Sequence, residues 1–162
     1  MSEAAAGQFR DAMRRVAATV NVVTILDREG APMGMTATAV SSLSADPPSL
    51  LVCINQAASL HGSLGEASHF CINVLHREQS QVARTFADGR LRELRFGEGW
   101  DRDDLGPPYL ADALASFMCR RDQLIAFATH SICIGTVCRI RLREGDIDPL
   151  VYLDGGYRGV AG

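Results

Sequence analysis

Apolar and polar positions in the first third of the chain alternate with the period of a strand. Residues 20–27 (VNVVTILD) are β-branched and alternating, residues 28–32 hold Gly30 and Pro32 for a turn, and residues 33–44 form a second run rich in Thr, Val and Ser. Together they predict a hairpin. Asp46-Pro47-Pro48 breaks the ladder, because proline has no N–H to donate, and residues 49–55 (SLLVCIN) resume as a buried strand. Ahead of these, residues 8–18 carry Phe9, Ala12, Met13, Val16 and Ala17 at helical spacing, which predicts a short amphipathic helix packed on a sheet.

The pattern then shortens. Residues 59–66 predict a brief helix capped by Ser59, residues 69–75 (HFCINVL) a fourth strand ending at His76, and residues 77–87 a helix with Val82, Ala83 and Phe86 on one side. Residues 88–108 are rich in Gly, Arg, Glu and Asp and hold Trp100, which either packs under this long surface excursion or covers a site. Residues 113–120, 123–128, 131–142 and 150–153 complete an all-β second half. Such an order lacks the βαβ alternation of a parallel sheet and predicts a closed antiparallel barrel with helical decorations. No G-x-G-x-x-G follows a strand and opens a helix, which excludes a Rossmann domain, and no phosphate-binding P-loop is present.

Length and composition narrow this to one globular domain, residues 1–162, with 47% apolar and 22% charged residues. The uncharged stretch 33–45 is broken by Thr and Ser, so no membrane span is expected, and the N-terminus lacks a signal-peptide core, which makes cytoplasmic residence the expectation. A net charge of −3, with Arg interleaved among Asp and Glu, argues against nucleic acid as a partner. The five cysteines form no C-x-x-C pair and sit among apolar neighbours, as reduced core thiols do. A metal site from Cys133, Cys138 and His130 is disfavoured, because five residues along a strand turn the two sulfurs to opposite faces. His61, His69 and His76 have no ligand spacing and read as surface residues.

The segment GMTATAVSSLSADPPSLLVCIN (34–55), then Ala58-Ser59 and FCINVL (70–75), resembles the flavin reductase-like family of FMN-binding split β-barrels. The likeness spans the chain, through FRDAMRRVAATVNVVT, REQSQVARTFADG, LADALASFMC and DPLVYLDGGYRG. It implies a mainly β, antiparallel, Greek-key type split barrel. It also implies reduction of FMN or FAD by NADH or NADPH, a homodimer, no metal, and a partner monooxygenase that takes the reduced flavin. In the family's pattern Thr36, Ala37, Thr38 and Ser41 line the flavin ring, Asn55 and Ser59 approach the ribityl chain and phosphate, and Asn73 lies near the ring. Relatives often carry Gly-Asp-His and Gly-Glu-Val where this chain has Ala128-Thr129-His130 and Gly135-Thr136-Val137; the histidine remains without its acidic neighbour.

These residue types suit hydride transfer, in which the cofactor carries the chemistry and the protein supplies binding and orientation, so no catalytic nucleophile or base is expected. Thr36 and Thr38 project to one face of a strand and Ala37 to the other. An ordinary Thr-rich barrel strand has the same spacing. Ser59, at a helix start, suits a phosphate or simply caps the helix, and Arg84 on the next helix either adds positive charge or is solvated. Asn55 and Asn73 need partners for their amides, from a flavin edge or from neighbouring backbone. His130 and Tyr157 are the candidates for nicotinamide contact. Two other classes share the barrel: a non-enzymatic flavin-binding electron carrier, and a reductase acting on another acceptor.

Overall fold

The computed structural model describes residues 3–160. Helix α1 (Glu3–Met13) leads into the two-residue β1 (Ala18–Thr19), then β2 (Asn21–Leu26) and β3 (Pro32–Ala37) pair as the expected hairpin. The 33–44 run is not one strand. It ends at Ala37 and resumes as β4 (Val40–Ala45), which pairs instead with β5 (Pro48–Asn55). After α2 (Ser59–Leu64) come β6 (His69–Val74), α3 (Ser80–Ala87), the short pair β7 (Trp100–Asp101) and β8 (Tyr109–Leu110), and the long strands β9 (Ala115–Phe127) and β10 (His130–Leu142). A final hairpin, β11 (Val151–Leu153) and β12 (Gly156–Arg158), lies beside β1. Its turn holds Asp154 and Gly155 at φ 49° and 76°, and such left-handed pairs match the twist of two-residue hairpins.

Seven strands form one antiparallel sheet in the order β3-β2-β6-β9-β10-β5-β4. Thr38 and Ala39 alone carry the chain from the β3 edge to the β4 edge, a reach of no more than about 11 Å, so the sheet curls until its edges nearly meet. The edge strands β3 and β4 are not paired with each other, which makes the barrel split rather than closed as the strand pattern suggested. Inside it lie Val23, Ile25, Val52, Ile54, Phe70 and Ile72, sealed at one end by Leu60 and Leu64 of α2. Strand β2 is buried on both faces, because Val22 turns outward into a second cluster with Leu75, Ala83, Phe86 and Leu110. That outer cluster exists because α3 and the 88–110 segment cover the sheet there.

Three further expectations are corrected. The 113–128 region is one strand, and its interruption at Asp122 is a bulge where pairing jumps from Ile134↔Gln123 to Gly135↔Arg121. The Asp122 carboxylate accepts from Thr136 N and Oγ1 at 2.8 and 2.6 Å and so holds the bulge. Helix α1 begins and ends about a turn early and buries none of its residues, so Phe9 and Met13 on its apolar side stay largely exposed instead of packing on the sheet. His76 is buried at 2% exposure rather than on the surface; its Nδ1 accepts from Glu78 N and its Nε2 lies 3.2 Å from Asp146. Of the thiols, Cys71, Cys119 and Cys133 are core, Cys53 is half-buried and Cys138 is exposed. Among the described residues no helix is long and apolar enough to cross a membrane.

Candidate functional site

The free edge of β3 faces the C-terminal half of α3, the start of α2 and the β11–β12 hairpin. These four elements enclose a groove of about 460 Å³ lined by Met35, Thr36, Thr38, Ser59, Phe86 and Tyr157, with Arg95 and Tyr152 also in its walls. That volume suits a small-molecule site. The approach of α3 to β3 depends on Gly34, where a Cβ would stand 2.7 Å from Phe86 Cε1. Arg95 fixes the junction, donating to the carbonyls of Gly34, Thr85, Phe86 and Asp88 at 2.8 to 3.2 Å, and thereby satisfies groups that the end of α3 leaves open. Behind the groove, Phe86 meets Phe96 and Trp100 with ring centroids 5.1 and 5.0 Å away, so Trp100 packs beneath its own loop. The loop is itself pinned to β10, because Arg139 and Arg141 both bind Asp103.

Two more pockets adjoin this one. A groove of about 620 Å³ runs past Arg84, Arg90 and Gly156 and shares Tyr152 and Tyr157 with the first. A wider pocket of about 710 Å³ lies between α1 and the β11–β12 turn, but its Arg14 and Asp154 are paired at 3.3 Å. The β3 groove is therefore the better candidate for a polar ligand.

The structure gathers Thr36, Thr38, Ser59 and Tyr157 into that groove and puts Arg84 in the adjoining one. Thr36 Oγ1 is engaged, donating to Ala83 O at 2.6 Å and tying β3 to α3. The hydroxyls of Thr38 and Ser59 have no protein partner among the described residues. Ser59 is the first residue of α2 and not its cap; Ala58 occupies the cap position and makes no side-chain bond. Arg84 forms no ion pair among the described residues, and its guanidinium stacks 5.3 Å from the Tyr157 ring centroid. Burial raises the Tyr157 phenol, with the Arg84 charge acting against it, and burial lowers the Arg95 guanidinium.

Other expected residues stand apart. Ala37 points into the core at 7% exposure, opposite Thr36 and Thr38. Ser41 is on β4, where its hydroxyl donates to Ser42 O. Asn55 accepts from Ala57 N at 2.8 Å, so it shapes the turn that presents Ser59. Asn73 is buried at 0% exposure with its amide spent inside the protein: Nδ2 donates to Val22 O, while Oδ1 accepts from Leu110 N and Ser116 Oγ at 2.9 Å each. It joins three segments and does not face the groove. His130 lies at the end of the β9–β10 hairpin, paired across β5 with Asn55, its Nδ1 2.9 Å from Thr129 Oγ1, and it lines none of the three pockets. Met35, Phe86, Arg95 and Tyr152 were not anticipated as lining. Asp154-Gly155 between two β-rich triplets was the available signal for the hairpin that brings Tyr152 and Tyr157 in.

Apolar walls, two free hydroxyls and a nearby unpaired cation fit a planar ligand that carries an anionic tail, which is the character of a flavin nucleotide. Among the described residues no group of three or more His, Cys, Asp or Glu side chains is placed to hold a metal ion.

Residues 13–161 match the flavin reductase like domain. The chain is 38% identical over 150 residues to an FMN reductase (NADH) of Enterobacter cloacae, covering 92% of this chain and 90% of that protein. It is 40% identical over 151 residues to the reductase component of an FADH(2)-dependent resorcinol hydroxylase of Rhizobium sp., covering 92% and 84%. The NADH:FAD oxidoreductase of Streptomyces globisporus, solved with NAD and FAD fragments, superposes with a TM-score of 0.87 at 27% identity over 98% of this chain and 94% of that one. With the fold, the groove and the match over residues 13–161 in agreement, the chain belongs to the flavin reductase like family.

Proposed function

We propose that this protein is an NADH-dependent flavin reductase that supplies reduced flavin to a separate oxygenase. The β3 groove carries the reading, because its walls meet a flavin's two demands at once. When bound there, a flavin supplies the hydride-accepting ring. The chain's own work is placement. Met35 and Phe86 exclude water from one side, Thr38 and Ser59 offer hydroxyl donors along the polar edge, and Arg84 supplies positive charge toward a phosphate. Tyr157 and His130 are assigned to the nicotinamide nucleotide. The gap between His130 and the groove within one chain suits a site completed across a dimer, as does the apolar face of α1, where Phe9 is 64% exposed. A homodimer with an interface of roughly 2,000 Å² or more is accordingly part of the proposal. Free thiols at all five cysteines are in keeping with a reducing, cytoplasmic setting.

The test measures NADH and NADPH oxidation with FMN, FAD and riboflavin supplied separately. Rapid, flavin-dependent NADH oxidation is expected. Tightly held flavin without turnover would make the protein a carrier, and turnover only with a different acceptor would make it another kind of reductase. Elution as a monomer at micromolar concentration with full activity would remove the dimer.

A further inference from the structure

Of the four histidines only His76 is buried, and it lines none of the three grooves described above. It stands where two elements begin. Its Nδ1 accepts from Glu78 N–H at 3.4 Å and its own N–H donates to Gln79 Oε1 at 2.9 Å, a reciprocal cap on the turn Arg77–Gln79 that runs directly into α3. Because a backbone N–H can only donate, the ring proton belongs on Nε2, which points at Asp146 Oδ2 3.2 Å away. The exposed Glu78 carboxylate comes no nearer to Nδ1 than 3.5 Å. Asp146 opens the segment that leads into β11, and that segment is fastened twice more. Arg77 N–H donates to Asp148 O at 2.9 Å, and Arg77 Nη1 lies 3.1 Å from Asp148 Oδ2. The other oxygen of the buried Asp148 carboxylate accepts from Val160 N–H at 2.9 Å, just past β12. Entry and exit of the β11–β12 hairpin are thus both tied to the residues that start α3. These two elements wall the β3 groove, α3 with Phe86 and the hairpin with Tyr152 and Tyr157, and they meet where Arg84 lies 5.3 Å from the Tyr157 ring centroid.

We propose that His76 is a positioning residue whose buried imidazole clasps the start of α3 to Asp146 and so sets the spacing between the two walls of the β3 groove. The proposal rests on flavin binding in that groove and goes beyond it by placing the control of its width at a pair that touches no ligand. Nδ1 serves the helix cap; Nε2 serves the clasp. The clasp is separable from the fold, because the hairpin keeps its pairing with β1, through Ala18↔Tyr152 and Thr19↔Val151, and Leu150 stays in the outer core. Without the Nε2 contact the hairpin remains folded but is free to shift against α3. A site whose walls are in place only part of the time loses affinity by that fraction, while the complex that does form reacts as before.

Asp146 gives access to the question, because its side chain is 69% exposed and its removal leaves no cavity. Wild type, Asp146→Ala, Asp146→Asn and His76→Asn are compared in three measurements: amide hydrogen exchange over residues 150–158 without flavin, FMN titration by fluorescence, and steady-state NADH oxidation with FMN. In Asp146→Ala, exchange over 150–158 should quicken about fivefold and the Kd and KM for FMN should rise about fivefold, with kcat at saturating FMN within about twofold of wild type. Asp146→Asn keeps an acceptor oxygen opposite Nε2 and should hold exchange and affinity within about twofold of wild type. His76→Asn keeps an acceptor for Glu78 N–H, and with it the cap, but is too short to reach Asp146. It should match Asp146→Ala, and combining the two substitutions should add nothing. If His76→Asn fails to fold, the two Asp146 variants decide. Wild-type exchange and FMN affinity in Asp146→Ala, equal losses in Asp146→Asn and Asp146→Ala, or a lowered Tm at unchanged affinity overturns the clasp. Failure of the underlying flavin reading looks different: wild-type protein would bind no FMN, while exchange over 150–158 would still respond to Asp146→Ala.

Discussion

Gly34→Ala isolates the contact that builds the β3 groove. Position 34 is in β3, and an added methyl would stand 2.7 and 2.9 Å from two carbons of the Phe86 ring and 3.1 Å from Phe96 Cζ. Ordinary carbon contacts begin near about 3.5 Å, so the Phe86 ring must retreat by roughly 0.8 Å. It has little room to do so, since it is 3% exposed and packs on Phe96 and Trp100 at 5.1 and 5.0 Å. Overpacking of this kind costs about 1–3 kcal/mol, while replacing glycine returns about 0.5–1 kcal/mol by restricting the unfolded chain. The net destabilisation is about 1–2 kcal/mol, which lowers Tm by about 2–8 °C for a domain of this size. Because Phe86 lines the groove, the same substitution should raise the KM for flavin severalfold with little effect on the KM for NADH. Thermal unfolding and steady-state kinetics read both effects. The double variant Gly34→Ala/Phe86→Leu should recover at least about 1 kcal/mol relative to additivity, as expected for side chains in contact. A Gly34→Ala protein with wild-type stability and flavin KM would show that the ring yields freely and that the groove does not depend on this approach.

Other consequences are as direct. Asn73→Ala strands Val22 O, Leu110 N and Ser116 Oγ in the core and should destabilise by about 3 kcal/mol in urea titrations. Flavin affinity of the folded fraction should not change; lost affinity at intact stability would return Asn73 to the ring. Burial pushes the Asp103 carboxyl up, but hydrogen bonds from Arg139, Leu105 N–H and Arg141 outweigh it and hold the group below 3.8. With the folded value depressed, its stabilisation is present above the unfolded pKa and disappears as pH falls through the folded one. The urea midpoint should therefore fall less in Asp103→Asn than in wild type between about pH 6 and about pH 3, and equal falls would refute the pairing. Burial drives the Cys71 and Cys133 thiols up to about 12, so iodoacetamide at about pH 8 should label exposed Cys138 first and the three core thiols only on unfolding. Rapid labelling of Cys71 in the native protein would contradict its burial.

Local periodicity made the elements that depend only on near neighbours readable from the sequence. The β2–β3 hairpin follows from alternating β-branched residues around Gly30 and Pro32, and the break at Pro47-Pro48 follows from the missing N–H. Thr36, Thr38, Ser59 and Tyr157, expected near a ligand because the motifs that resemble the family run in an ordered set along the chain, do share the β3 groove, whereas Ala37 between the two threonines turns into the core. Which residues share a cavity was not legible, because it depends on pairings between distant segments. Thr38 and Ala39 look like the middle of a strand in sequence, yet they are where the chain crosses the open seam of the barrel, which only the pairing of β4 with β5 reveals. Asn73 shows the same division. Its place in FCINVL suggested a polar group waiting for a ligand, but its partners come from residues 22, 110 and 116, brought together by the sheet and the long loop. His76 looked exposed because a lone polar residue after a strand usually is, and it became buried when the 146–149 segment closed over it. Periodicity reports the face a residue presents within its own element; the element that covers that face is set by long-range packing, which no local pattern encodes.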